Sequence, residues 1–190
     1  MVSLTDKITE DQIRILVSES RSSANPLSML FTYKYAASLV PLNWCDLLYA
    51  IENNFLAHQS AIEYALIEAK KTENPPSEVL ELACMLQSEA EFPYDVCQLV
   101  NKLATLHKST MVIDSDSKEK FLYVSLNWIY EHKDDYYNPI EIVDVLCDDI
   151  NYPDEVKKLL SFMPESEPVF DRLVVYLENQ RKRWAPITKL

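Results

Sequence analysis

The chain has 190 residues, 48% of them hydrophobic and 11% aromatic, with 30 acids against 18 Lys and Arg, a net charge of −12 and no glycine. That size and apolar content suit a folded domain and exclude wholesale disorder. The acidity sets aside nucleic acid and anionic membrane surfaces, which need clustered cations, and the lack of glycine sets aside Gly-rich phosphate loops, dinucleotide fingerprints and hairpin-rich β folds.

Residues 9–20 predict an amphipathic helix in which Ile13, Leu16 and Val17 share a face and Thr9 is placed to cap. A polar joint, SRSSAN, leads to Pro26, which suits the first turn of a second helix over 26–40 burying Leu27, Leu30, Phe31, Tyr35 and Leu39. Asn43 caps a third, with Trp44, Leu47, Leu48 and Ile51 inward, and Asn53-Asn54 can end it because Asn tolerates the left-handed conformation. The fourth covers 58–71 on Ile62, Ala65, Leu66 and Ala69. Asn74-Pro75-Pro76 breaks the chain before a helix over 77–87 that buries Val79, Leu82, Ala83 and Leu86. Phe92-Pro93 opens the next, which runs to His107 on Val96, Leu99, Val100 and Leu103.

The pattern is weakest over 109–117, where Met111, Val112 and Ile113 suggest a short extended or tucked segment. Ser115 or Ser117 then caps a helix over 118–133. Leu122, Leu126, Ile129 and Tyr130 mark one face, and Phe121, Tyr123 and Trp128 widen it until the helix is apolar almost all round, the pattern of a central helix. Asn138-Pro139 opens an acidic helix on Ile142, Val143 and Leu146. Tyr152-Pro153 opens a shorter one on Val156, Leu159 and Leu160. A loop over 164–168, a last helix over 169–184 and a short basic tail complete the chain. The expected fold is all-α, with eight or nine helices packed as antiparallel pairs in one domain over 1–190.

The chain also echoes itself. Asn74-Pro75 followed by Val79 and Leu82 matches Asn138-Pro139 followed by Val143 and Leu146. Phe92-Pro93 with Val96 and Leu99 matches Tyr152-Pro153 with Val156 and Leu159. Such a period suggests stacked helices, loosely like a two-unit repeat array. Recurring helix-corner chemistry explains it equally well.

Reactive constellations are hard to assemble. The histidines, His58, His107 and His132, complete no Glu-x-x-His pair for a di-iron bundle, and no Cys/His spacing fits zinc. His132 sits at a helix end, where a cationic ring suits the dipole. Cys45, Cys84, Cys97 and Cys147 lack CxxC spacing and lie in apolar or amphipathic stretches, so they read as buried thiols in a reducing compartment. Asp134-Asp135 and Asp148-Asp149 lie beside other acids at helix ends rather than in an apolar pocket, so acid–base work does not suit them. Acid neighbours also disfavour Cys147 as a nucleophile. No metal, cofactor or catalytic residue is expected. The N-terminus has no signal-peptide pattern, and no apolar run is long enough to span a membrane.

Charge is unevenly placed. Residues 111–170 hold 14 acids against 5 bases, a net of −9, whereas the last 20 residues carry +3. Within the acidic part, Tyr136, Tyr137 and Tyr152 stand among Asp134, Asp135, Asp148, Asp149 and Asp154. Aromatic area with surrounding carboxylates suits a surface for a basic protein, since the rings anchor and the acids steer. The same residues can instead pack their rings down and leave the acids solvated.

Three segments resemble a known family: PLNWCDLLYAIENNFLAHQSAIEYA, NPPSEVLELA and the run from KEKFLYVSLNWIYEHKDDYYNPIEIV to LSFMP. They are similar to a bacterial family catalogued as domain of unknown function 2247, over about residues 41–164, with an N-terminal helical extension and the C-terminal helix and tail outside. The most specific pieces are NWIYEHKDDYYNPIEIV, INYPDEV and the closing FMP. The resemblance implies an all-helical, cytosolic bacterial protein without an established activity. It also implies kinship with small acidic immunity proteins encoded beside secreted polymorphic toxins. It supplies no active-site residues. The VLCDDINYP corner, with Cys147 and Ile150, departs from a more aromatic or acidic version.

The expectation is a non-catalytic cytoplasmic immunity protein that binds and neutralises a toxin domain. Its protein-binding residues would be Asp134, Asp135, Tyr136, Tyr137, Asp148, Asp149, Tyr152 and Asp154. A helical scaffold or adaptor for an endogenous partner, or a homo-oligomer, is the alternative, and an enzyme of unknown type is a third reading.

Overall fold

The structure, a computed structural model, describes residues 9–20, 22–85, 93–110, 117–148, 154–163 and 167–185. Among them the chain is all-α. The helices are α1 (Glu10–Glu19), α2 (Tyr33–Leu39), α3 (Trp44–Glu52), α4 (Gln59–Lys71), α5 (Ser77–Cys84), α6 (Pro93–Thr110), α7 (Ser117–Glu131), α8 (Pro139–Cys147), α9 (Asp154–Lys157) and α10 (Val169–Trp184). Nine of these described helices have seven residues or more, and α9 is a single turn. The chain divides into two compact units: a central one, Leu30–Glu119, and a terminal one made of Met1–Met29 and Lys120–Leu190.

In the central unit, α3 packs on α6 and α4 on α5. The Asn43 side chain accepts from the N–H groups of Cys45 at 2.8 Å and Asp46 at 3.0 Å. Asp46 Oδ2 accepts in return from the Asn43 N–H at 3.0 Å, closing a capping box. Asp46 is 0% exposed, and its Oδ1 accepts from the Ser117 hydroxyl at 2.6 Å, joining the start of α3 to the start of α7. Asn54 ends α3 with φ 58, the left-handed role expected of the Asn pair. On α6 the whole expected face, Val96, Leu99, Val100 and Leu103, is buried.

The expected helix over 26–40 is corrected: α2 covers only its last part. Asn25 holds a turn by accepting from the Met29 N–H at 2.8 Å and donating to the Met29 carbonyl at 3.0 Å. Ser28 adopts φ 49, which a helix does not tolerate. The Phe31 N–H donates to the Phe55 carbonyl at 2.8 Å, beside an isolated parallel bridge from Phe31 to Leu56, and Thr32 caps α2 through the Tyr35 N–H. Leu30 is therefore exposed, while Leu27 and Phe31 are buried as expected. Leu66 and Cys84 are also exposed where burial was expected. Leu66 lies outside the buried Ile62–Ala65 line of α4, and Cys84 sits at the last turn of α5. Cys45 and Cys147 are buried and Cys97 half-buried. Helix α5 stops at Cys84, short of residue 87, and Leu86, like Met111, Val112, Ile113 and Ser115, lies outside the described residues.

In the terminal unit, α1 starts at the expected cap, with the Gln12 N–H donating to the Thr9 hydroxyl and Gln12 Oε1 accepting from the Thr9 N–H. Val17 is exposed rather than inward, and the side chains of Ile13 and Leu16 lie outside the description. Phe121, Leu122, Tyr123, Val124, Ser125 and Leu126 are all buried, as an all-round apolar helix requires. Helix α10 buries Val169, Leu173, Tyr176, Leu177 and Gln180, one face at helical spacing. Lys120 lies over the Trp184 ring at 5.3 Å and Lys133 within 5.9 Å of Phe170, so α7 and α10 run antiparallel. The echoed corners do open helices at α5 and α8. Their successors differ, because α6 has 18 residues and α9 has 4.

Candidate functional site

The acidic corner is built from the end of α7, a 3₁₀ turn over Lys133–Asp135, and α8. Helix α8 starts as its sequence dictates. Pro139 fills the first turn, where no N–H partner is needed, and Asn138 accepts from the Glu141 N–H at 3.5 Å. Ile142, Val143, Leu146 and Cys147 turn inward. Ile140, Asp144 and Asp148, four residues apart, therefore line the outer side.

The turn leaves Asp134 and Asp135 exposed, and Tyr137 after it is 68% exposed. Tyr136 behaves differently from its neighbour. Its hydroxyl accepts from Trp128 Nε1 at 3.2 Å, and it is half-buried, which raises the phenol's pKa. Trp128 stacks on His132 at 3.8 Å. His132 Nδ1 lies 2.9 Å from the Trp128 carbonyl, which can only accept, so Nδ1 carries the proton. Trp128, His132 and Tyr136 thus brace the end of α7. Lys133 sits 4.6 Å over the Tyr130 ring, an intramolecular cation–π contact.

Asp148 is exposed at the far end of α8, about 13 Å along a nine-residue helix. Asp154 is exposed at the start of α9 and lies 3.5 Å from Lys157. Asp149 and Tyr152 lie outside the described residues. The corner therefore brings Asp134, Asp135 and Tyr137 together, continues to Asp148 along α8, and leaves Asp154 on the next element.

Two exposed apolar residues of this corner were absent from the sequence-derived site. Ile140 is 37% exposed on the outer line of α8, a position its spacing from Asp144 and Asp148 already indicated. Phe162 is 71% exposed. Asp144 Oδ1 accepts from the Ser161 N–H at 2.7 Å and Oδ2 from the Ser161 hydroxyl at 2.5 Å, which pins the turn after α9 beside α8. No sequence signal separates Phe162 from a core phenylalanine, because the pinning contact spans 17 positions.

The corner's one thiol is poorly suited to attack. Burial pushes the Cys147 pKa up to about 12, with Asp144 adding to the rise, so the neutral thiol dominates at neutral pH. A groove of about 380 Å³ between α9 and α10 has Leu159 and Val175 in its lining, with Glu155 and Glu167 opposing Lys158 and Arg172. That mixture of signs selects no ligand charge. Among the described residues no group of three or more His, Cys, Asp or Glu side chains is arranged to hold a metal ion, and no helix is long and apolar enough to cross a membrane.

The profile of a family described as "Uncharacterized protein conserved in bacteria" (DUF2247) matches residues 33–183. This span is wider than 41–164 and takes in nearly all of α10. No curated protein and no solved structure matches the chain.

Proposed function

The chain belongs to this bacterial family, and from that premise we propose that it is a non-catalytic immunity protein, binding and neutralising a cognate toxin domain in the cytoplasm. The observation that carries the reading is the outer side of the corner. Asp134 and Asp135 are exposed there beside Tyr137, with Asp148 exposed at the other end of α8, in a chain of net charge −12. Exposed carboxylates attract a basic partner over distances of about a Debye length, ~8 Å at physiological salt, and raise the association rate. A tyrosine that presents most of its surface supplies anchoring area at low entropic cost. Tyr136 contributes by bracing the corner through Trp128. Such a protein needs no reaction chemistry, because covering a toxin's active site or substrate entrance is enough to stop it.

Co-expression tests this reading. The probe is the C-terminal domain encoded by the adjacent open reading frame. The wild-type chain should restore growth to cells producing that domain, and the double variant Asp134→Lys/Asp148→Lys should not. Full protection by the double variant would move the binding surface elsewhere. Absence of protection by the wild type would end the immunity reading and favour an adaptor for an endogenous protein.

A further inference from the structure

The corner carries more apolar surface than charge steering requires. Tyr137, Ile140 and Phe162 are all exposed large hydrophobic residues, and the double hydrogen bond from Ser161 to Asp144 ties the turn that carries Phe162 to the helix that carries Ile140. Ile140 and Asp144 are one helical turn apart on the same side of α8, and Ser161 precedes Phe162 directly. Isolated exposed apolar residues are commonplace, but several on elements tied together and flanked by charge point to an interaction surface.

We propose that Tyr137, Ile140 and Phe162 form the apolar centre of a protein-docking face on α8, recognising a basic protein surface that presents an apolar recess ringed by Lys and Arg. The proposal rests on the immunity reading above and specifies its chemistry. Asp134, Asp135 and Asp148 form the rim, so the partner must be cationic around the recess. The same acids argue against a second copy docking face to face, since a two-fold contact would set carboxylate against carboxylate. Hydrophobic centre and charged rim is the arrangement in which a few buried aromatic residues dominate affinity while the rim governs encounter.

Within this face Asp144 is a positioning residue. Both of its oxygens accept from Ser161, so it fixes where Phe162 stands while the rim acids remain available for steering. Its removal should free the turn and weaken binding without changing the long-range charge pattern by more than one unit.

The experiment measures association and dissociation rates for the purified C-terminal domain encoded by the adjacent open reading frame. It compares the wild type, Phe162→Ala, Tyr137→Ala/Ile140→Ala, Asp144→Ala, Asp144→Asn and Asp134→Lys/Asp148→Lys, each checked for an unchanged melting temperature. Phe162→Ala should raise the dissociation rate about tenfold or more at an unchanged association rate, as loss of a central anchor does. Asp144→Ala should do the same, and Asp144→Asn, which keeps one acceptor oxygen for the Ser161 N–H, should recover part of the loss. Asp134→Lys/Asp148→Lys should instead slow association. If the apolar variants dissociate like the wild type while charge reversal slows association, the acidic reading stands and the apolar centre is overturned. If the wild type does not bind, the immunity reading falls and this proposal with it. A wild-type dimer that Phe162→Ala dissociates would make the occupant a second copy and also overturn it.

Discussion

Helices α3 and α8 both start behind an asparagine cap, Asn43 and Asn138, and each carries an acid three residues later, Asp46 and Glu141. Their surroundings are opposite. Around Asp46 the carboxylate is fully buried and tied to the Asn43 N–H and the Ser117 hydroxyl. Around α8, Asp134, Asp135 and Asp148 stand in solvent, and Asp144 uses both oxygens to pin a surface turn. The same residue types therefore perform two tasks in one chain. A buried, partnered carboxylate holds architecture, because leaving its donors unsatisfied is costly. An exposed one adds little to stability and remains available for steering a partner.

The largest expected effect lies at the buried acid. Asp46→Ala removes the buried acceptor of the Ser117 hydroxyl and the Asn43 N–H and should cost about 3 kcal/mol in urea unfolding. Asp148→Ala should stay within about 0.5 kcal/mol. Equal losses at the two sites would mean that Asp46 holds no more of the fold than an exposed carboxylate.

The next effect is a pH dependence at Cys147. Its pKa rises from an ordinary 9.0 to about 12 in the folded chain, so folding favours the neutral thiol. Below pH 9 that contribution is complete. Above it the unfolded chain ionises first, and stability falls as pH rises towards 12. Between pH 8 and pH 10.5 the wild type should lose about 2 kcal/mol more than Cys147→Ala in urea titrations, at about 1.4 kcal/mol per pKa unit. Equal losses would show that the thiol is not held neutral by burial. Alkylation at pH 8 should correspondingly label exposed Cys84 well before buried Cys147.

The two asparagine caps differ in the same direction as the acids they hold. Asn43→Ala and Asn138→Ala each remove a cap and should each cost about 1 kcal/mol in thermal or urea unfolding. The Asn43 loss should be the greater, because its box also orients buried Asp46. The smallest effect belongs to Phe162→Ala, whose side chain is mostly in water. It should change unfolding free energy by less than about 0.5 kcal/mol. A larger loss would place Phe162 in the core.

What the sequence disclosed follows the range of the interactions involved. Helix α10 runs over 169–184 as expected and α6 buries its full expected face, since long periodic helices carry their own signal. The Asn43 and Asn138 caps were legible because cap and partner are at most three residues apart. The turn before α2 was not, because it depends on Ser28 at φ 49 and on Phe31 reaching Phe55, and periodicity encodes neither. In the corner, the exposure of Asp134, Asp135 and Asp148 was legible from composition, whereas which tyrosine faces outward was not. Tyr136 is tied inward by its bond to Trp128, eight positions earlier, and Phe162 is placed by Asp144, 17 positions before Ser161. Side chains at such separations declare themselves only in the folded chain.

The most direct test is the salt dependence of the association rate between this chain and the C-terminal domain of its neighbouring gene. For the wild type the rate should fall steeply between about 50 and 300 mM salt, as screening shortens the reach of the exposed acids. For Asp134→Lys/Asp148→Lys it should start lower and vary much less. Matching salt profiles for the two proteins would contradict the claim that the outer side of α8 receives a basic partner.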